Sequence, residues 1–471
     1  MSRALRQSFD SLSVPNYRRY FTGQVVSLTG NWVQTVAEVW LVLSLTGSGT
    51  AVGLLAAAQW GPMLVLAAAG GLLADRFPKR RLLMLTQVAM AAPVVSLWAL
   101  TSTGAVEVWM VYALVLVRGT VNAVDYPTRQ SFVMEMVGPA RVVNAVSLNS
   151  VLVHVARIAG PAIAAVLIAV RGVEPAFLLN ALSFVAMLVA LRRMDPAALA
   201  TVVRAPREPR ALRAGVAYVR RTPELRIPLM MMALVGTLSF NFQVILPLFA
   251  SFTFDGGASA YAALMTAMGA GSVVGALVTG ARGRVSPRLL VVSAAAFGAL
   301  TLATAGAPSL VVAAALLVPL GAASVTFAAS VNSSLQLAVE PVMRGRVMAL
   351  YAVVFVGSTP LGAPLAGWLS EAVSPRVALA LGGLAALAAA AGATAAFARM
   401  QQRCQGPNSH TGPRMNKRCQ GPNSHPATKV PGTELSSRPR RAGGRPSRAL
   451  PRERLTNGRN GPKRGRSAVQ S

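Results

Sequence analysis

Four ionisable side chains stand inside long apolar runs of this 471-residue chain: Glu38, Arg118, Asp125 and Arg157. Glu38 shares one helical face with Asn31, Gln34 and Thr35, because spacings of three and four return to the same side of a helix. Arg118 is followed at helical spacing by Asn122, Asp125 and Arg129. Arg157 has His154 one turn to one side and Pro161 one turn to the other. A charge at the centre of a bilayer costs at least about 2.5–3.5 kcal/mol on insertion scales, so such groups face a protein interior and mark a pathway. Arginine does not deprotonate in proteins. Arg118 and Arg157 therefore set a field or hold an anionic substrate, and of the four only Glu38 and Asp125 can carry a proton. Glu38, deep in the polar face of its helix, is the first choice; Asp125 is the second, and can instead pair with Arg129. The competing reading is a static ion-pair cluster that locks helix packing. His154 is read as a packed side chain.

These groups need a scaffold, and the composition says which kind. Hydrophobic types make up 54% of the chain and charged types 13%, about half the charged fraction of soluble domains. This excludes a soluble enzyme and points to many membrane-crossing helices, each of about 20 apolar residues for a core about 30 Å thick. The runs predict helices at about 22–46, 50–74, 82–102, 107–127, 142–170, 173–191, 227–251, 259–281, 288–306, 309–331, 346–371 and 376–398. Residues 1–21 contain Arg3, Arg6, Asp10, Arg18 and Arg19 with no apolar core, so no signal peptide is expected there. Alternate loops carry the arginines: Arg76 to Arg81, Arg129 and Arg141, Arg192 to Arg226, Arg282 to Arg288, and Arg344 with Arg346. The positive-inside rule then places both termini in the cytoplasm and the chain in the plasma (inner) membrane.

The longest of these loops, 192–226, lies midway, holds Pro206, Pro209 and nine arginines, and divides the spans into six and six. The halves resemble each other. The stretch from Arg129-Gln130-Ser131 to Gly160-Pro161-Ala162 aligns with that from Asn332-Ser333-Ser334 to Ala363-Pro364-Leu365 at one offset, which brings Arg141 onto Arg344. The expected fold is an all-α integral membrane protein of about twelve helices in two pseudo-symmetric six-helix halves. Its parts are a cytoplasmic N-terminus (1–21), a first half (22–191), a linker (192–226), a second half (227–398) and a disordered basic tail (399–471). Such internal repetition is a transporter architecture, with the substrate site near the midplane between the halves.

The turn after the second helix reads Gly71-Leu-Leu-Ala-Asp75-Arg76-Phe-Pro78-Lys79-Arg80-Arg81. It resembles the major facilitator superfamily signature Gly-x-x-x-Asp-Arg-x-Gly-x-Arg-Arg, with Pro78 where glycine is usual. Arg118 to Ala123 is similar to that superfamily's Arg-x-x-x-x-Ala segment, and Ala156 to Ala165, with Gly160-Pro161, looks like the helix 5 motif of its antiporters. Asp125-Tyr-Pro127-Thr-Arg129 through Val137, with Asn144 to Ser150, is similar to the enterobactin-exporter-like group, the transmembrane secretion effectors. The resemblance spans about residues 12–398. It implies alternating access, and a cytoplasmic latch formed by Gly71, Asp75, Arg76, Arg80 and Arg81, with Arg129 as the expected partner of Asp75.

The second half has no clear midplane charge. Ser239, Asn241, Gln243, Ser324, Thr326 and Ser330 are read as packing groups. The only cysteines, Cys404 and Cys419, lie in the tail without zinc-finger spacing, so no metal site and no cofactor is expected. No phosphate-binding loop of the Gly-x-x-x-x-Gly-Lys-Ser/Thr type occurs, so no ATP site is expected and transport must draw on an ion gradient or run as a uniport. Within the tail, Arg403 to His410 recurs verbatim as Arg418 to His425; the remainder is rich in Arg, Pro, Gly and Ser and cannot bury a core. The sequence reading is a non-enzymatic, monomeric, proton-coupled exporter of a siderophore-like or drug-like small molecule. Its partners are the substrate, protons and the bilayer, with no nucleic acid. An importer or uniporter of the same fold, or a membrane-tethered protein acting through its basic tail, are the alternatives.

Overall fold

The computed structural model describes residues 9–199, 211–282, 286–340 and 342–405. Three long helices come first: α1 (Pro15–Thr46), α2 (Gly49–Arg76) and α3 (Lys79–Ser102). The 64-residue helix Val108–Arg171 breaks at Gly138, whose φ of 70° and ψ of 173° suit a residue without a Cβ. Pro139 follows, fit to open a new helix because it has no N–H to leave unpaired. The two arms are labelled α4 (108–137) and α5 (139–171). Then come α6 (Glu174–Arg192), the short α7 (Ala211–Arg221), α8 (Pro223–Leu238) and α9 (Phe242–Leu248), which runs into a π-helical turn at Phe249–Thr253. The chain continues through α10 (Ala258–Arg282), α11 (Pro287–Ala305), α12 (Leu310–Ala338), α13 (Arg344–Ala372) and α14 (Pro375–Gln405).

Among the described residues, ten helical segments are long and apolar enough to cross a membrane, with Val108–Arg171 counted once. The protein is an all-α, multi-pass membrane protein. α1 falls outside the ten although it has 32 residues, because Asn31, Gln34, Thr35 and Glu38 give it a polar face. Serines open three helices by accepting a backbone N–H: Ser48 from Ala51 (3.2 Å), Ser286 from Leu289 (3.1 Å) and Ser309 from Val312 (3.4 Å).

The helices outrun the apolar runs that announced them. α1 starts at Pro15 rather than 22, since Tyr17 and Tyr20 are buried and Tyr20 packs edge-on against Phe132. The expected loop 128–141 is helical except at Gly138. Its charges are satisfied in place, Glu135 by Lys79 and Arg129 by Asp125, so winding the backbone strands none of them. α14 carries on to Gln405, so residues 399–405, expected to belong to a disordered tail, are helical; the rest of the tail lies outside the described residues. The linker contains α7, and Gly215 lets α7 approach the start of α13 so closely that a Cβ there would lie 3.2 Å from the Arg346 carbonyl oxygen. The single span expected at 227–251 is interrupted at Ser239–Asn241. The Asn241 side chain donates to the Thr237 carbonyl (2.7 Å), the acceptor its own backbone N–H would use in an unbroken helix.

Helix packing repeats. α2 packs on α4 as α10 packs on α12; α1 on α6 as α8 on α14; α3 on α6 as α11 on α14; and α3 on α4 as α11 on α12. Glycines set the closest of these approaches. A Cβ on Gly119 would lie 2.5 Å from the Gln59 carbonyl oxygen, and one on Gly275 would lie 2.4 Å from that of Ala322. Two further seams, α2 with α13 and α10 with α5, join residues of the first repeat to residues of the second.

Candidate functional site

A cavity of about 340 Å³ is lined by α1, α2, α4 and α5, with Gln59, Trp60, Arg118, Asn122, Asp125 and Arg129 among its walls. A second, of about 230 Å³, is lined by Arg157, the α8–α9 break and α10, α12 and α13. Trp32, Trp60 and Gln243 line both, so the two adjoin. Towards the end of the bundle where α1 begins, the first cavity reaches Tyr20, Gln24 and the exposed Tyr126 and Gln130. At the opposite end the α2–α13 seam is shut. A Cβ on Gly49 would lie 2.5 Å from the Gly367 carbonyl oxygen, and one on Gly53 would lie 2.6 Å from that of Ala363. A Glu371 carboxylate oxygen there accepts from Ser48 Oγ and from the Thr50 backbone N–H, both at 2.8 Å.

The structure brings Glu38 and Arg118 together: Arg118 lines the first cavity, and Glu38 is buried against it outside the lining. Arg118 Nη2 donates to Glu38 Oε2 at 2.6 Å, and Gln34 Nε2 donates to Glu38 Oε1 at 2.5 Å. Glu38 is 1% exposed. Asn180 Nδ2, from α6, donates to Gln34 Oε1 and to Asn31 Oδ1, and Ser183 Oγ donates to Asn180 Oδ1. The polar face of α1 is thus one end of a relay that runs behind the cavity into α6. Asn180 and Ser183 were missed in the sequence because isolated Asn and Ser residues in an apolar helix carry no spacing signal.

Asp125 forms a second cluster nearer the open end. Its Oδ1 accepts from Thr86 Oγ1 (2.6 Å) and Gln87 Nε2 (2.9 Å); its Oδ2 accepts from Arg129 Nε, and Arg129 Nη1 donates to Gln24 Oε1. Arg129 is therefore engaged by Asp125 and Gln24, the alternative pairing the sequence also offered: Asp125 lies one turn from Arg129 on the same helix. With Thr86 and Gln87 donating to the Asp125–Arg129 unit, Gln24 accepting from it, and its carboxylate 2% exposed, this cluster is built as a fixed joint between α1, α3 and α4. Asp125→Asn leaves Arg129 buried without its counter-charge, which costs about 3–5 kcal/mol when one partner of a buried pair is removed. A large fall in the melting temperature of the purified protein is the expected result; an unchanged melt would show that the cluster is not a joint.

The basic turn works inside the first repeat. Lys79 pairs with Glu135 on α4, and Arg80 donates from Nε to the Leu191 carbonyl (2.8 Å) and from Nη2 to that of Arg192 (3.0 Å), closing the C-terminal end of α6. Gly71 is buried, and Arg76 and Arg81 are exposed. Gly160 of the helix 5 motif faces α1: a Cβ there would meet Trp32. Pro161 lies buried beside it. Arg157 stands over the Trp32 ring, 5.2 Å from its centroid, and His154 Nδ1 is buried without a hydrogen bond. In the second repeat, Asn241 at the helix break and Gln243 just after it line the second cavity with Ser324.

Among known proteins, the family described as "Transmembrane secretion effector" matches residues 6–419. A relative from Bacillus subtilis (strain 168), named "Uncharacterized MFS-type transporter YfiS", is 28% identical over 295 residues, covering 61% of this chain and 68% of that protein. The "Staphyloferrin A transporter" of Staphylococcus aureus (strain NCTC 8325 / PS 47) is 25% identical over 260 residues, covering 55% of this chain and 65% of that protein. The chain therefore spans just under two thirds of the second relative. Among solved structures, a POT family transporter in complex with a thioalcohol-conjugated peptide superposes with a TM-score of 0.67 at 11% identity, over 82% of this chain and 96% of that one.

Proposed function

We propose, from the premise that this chain belongs to the transmembrane secretion effector family of the major facilitator superfamily, that it is a proton-coupled exporter of a siderophore-like or drug-like small molecule. Secondary active transport by the alternating-access fold follows from the family; direction, coupling ion and substrate class are the proposal. Twelve spans in two six-helix halves follow if the arms α4 and α5 each cross the membrane and α1 crosses despite its polar face. Both termini are then cytoplasmic, by the arginine-rich loops. The cavity, open at that end and shut at the other, is in the inward-facing state.

The observation that carries the reading is the buried Glu38–Arg118 pair, whose arginine lines the first cavity. An exporter driven by protons needs a carboxylate that meets the cavity from each side in turn. Glu38 is that carboxylate and Arg118 its counter-charge; in an exporter the proton leaves it towards the cytoplasm and is taken up from outside. Inverted vesicles with an acidic lumen should accumulate substrate, and a metabolite comparison of a deletion strain supplies the compound to load. Accumulation by right-side-out vesicles under an inward proton gradient would instead make the protein an importer.

The turn at Asp75 serves the cycle rather than the proton. Asp75→Asn is expected to slow turnover several-fold without changing the number of protons per substrate, measured as the ratio of proton to substrate flux in proteoliposomes. A changed ratio would place Asp75 in the proton path.

A further inference from the structure

Arg118 and Arg129 line the first cavity and each has a carboxylate; Arg157 lines the second and has none among the described residues. Among the described residues its guanidinium stands over the face of Trp32. A ring face offers no in-plane lone pair to a hydrogen bond, so the five N–H donors of the guanidinium remain available to an acceptor. Among the described residues that line this cavity, none is an anion. The lining of this cavity is otherwise uncharged: Asn241, Gln243, Ser272, Ser324 and Thr359 are its polar groups, and Phe240, Phe355 and Trp60 give it flat apolar walls. The position is fixed as well. Gly269 of α10 lies against the Arg157 backbone, where a Cβ would stand 3.1 Å from the carbonyl oxygen, so Arg157 sits on the seam between the two repeats.

We propose that the transported molecule is an organic anion, a carboxylate with a flat apolar body, whose charge docks on Arg157 and whose body lies against Trp32, Trp60 and the Phe240–Phe355 wall. This deepens the exporter reading and rests on it. Planar carboxylates match the guanidinium fork in a way that a neutral or cationic body does not. The aromatic walls accept a flat ring without fixing its identity, which suits binding of more than one compound. Arg157 is a substrate-binding residue in this scheme. The proton is left to Glu38, so binding and coupling fall on separate helices.

The test uses the full-length protein in lipid nanodiscs and three probes of one shape: 1-naphthoate, 1-naphthalenemethanol and 1-naphthylmethylamine. Quenching of tryptophan emission reports binding, because Trp32 and Trp60 line the site. Naphthoate is expected to bind at least about tenfold more tightly than the other two, a margin of the size one charge-assisted hydrogen bond supplies. Arg157→Gln should erase the preference and Arg157→Lys should keep part of it. The wild-type comparison needs no variant, so it stands even if Arg157→Gln fails to fold. Equal binding of the three probes, no binding of naphthoate, or an intact preference in folded Arg157→Gln each overturns the anion site. Failure of the exporter reading looks different: the naphthoate preference would persist while vesicles show no proton-driven accumulation.

Discussion

Gly367→Val is expected to abolish net transport while the protein still reaches the membrane in normal amounts. Gly367 is where α13 crosses α2 at the closed end of the cavity. A Cβ there would overlap the Gly49 carbonyl oxygen and stand 3.2 Å from the Gly53 Cα, all of them backbone atoms that cannot turn aside. The seam must part. Overpacking of this kind costs about 1–3 kcal/mol, so the closed-end conformation should lose about 5- to 150-fold in population relative to one in which α2 and α13 have separated. Substrate entering from the open end would then meet a barrier the wild type lacks. Gly392→Val is the control, since a Cβ at Gly392 meets nothing within 4 Å; its efflux should match the wild type. Full efflux by Gly367→Val at equal membrane levels would show that this seam does not open and close in the cycle.

Glu38→Gln is the second large effect: uphill efflux should vanish, and downhill exchange of substrate should remain. Glutamine keeps the shape and can still accept from Gln34, but it cannot release a proton. The change leaves Arg118 buried and without its carboxylate, which costs about 3–5 kcal/mol of stability. The double variant Glu38→Gln with Arg118→Gln removes that penalty. It should recover much of the lost melting temperature and still fail to transport uphill. This separates a coupling role from a structural one, because a merely structural pair would regain transport when it regains stability. Normal proton-driven efflux in Glu38→Gln would move the proton to Asp125 or remove it from the mechanism.

Much of this site was legible in the chain because charge is rare in it. Glu38 and Arg118 announced themselves as ionisable groups in apolar helices, and the structure pairs them. The polar face Asn31–Gln34–Glu38 was readable from spacing, and it joins one hydrogen-bond relay. Asp125 with Arg129 was readable as an i, i+4 pair. What spacing could not give was depth across the bundle. Asn180 and Ser183 close the relay from a helix 146 residues away in sequence from Gln34 (180 − 34), and nothing local marks them. Arg80 was readable as part of a charged latch; two of its donors go to the carbonyls that end α6. Hydropathy also misplaced helix ends wherever buried tyrosines or paired charges extend the winding, as at Tyr17 and at Glu135. The break in the seventh expected span arises from one side chain, Asn241, competing for a backbone acceptor, and sequence alone shows only that such a residue is present.

Alternating access about the cavity between the repeats is tested most directly by sidedness of labelling. The chain has only Cys404 and Cys419, so Cys404→Ser with Cys419→Ser gives a cysteine-free background. Gln243→Cys then places one thiol where the two cavities meet. A membrane-impermeant maleimide is applied to inverted and to right-side-out vesicles. Alternating access predicts labelling at least about tenfold faster from the cytoplasmic face, as expected if the inward-facing state is favoured by about 1.4 kcal/mol or more, and a fall of that preference by about 5- to 150-fold when Gly367→Val is added. Equal rates from both faces would mean a continuous pore, and an unchanged preference with Gly367→Val would mean a fixed cavity; either result contradicts the mechanism.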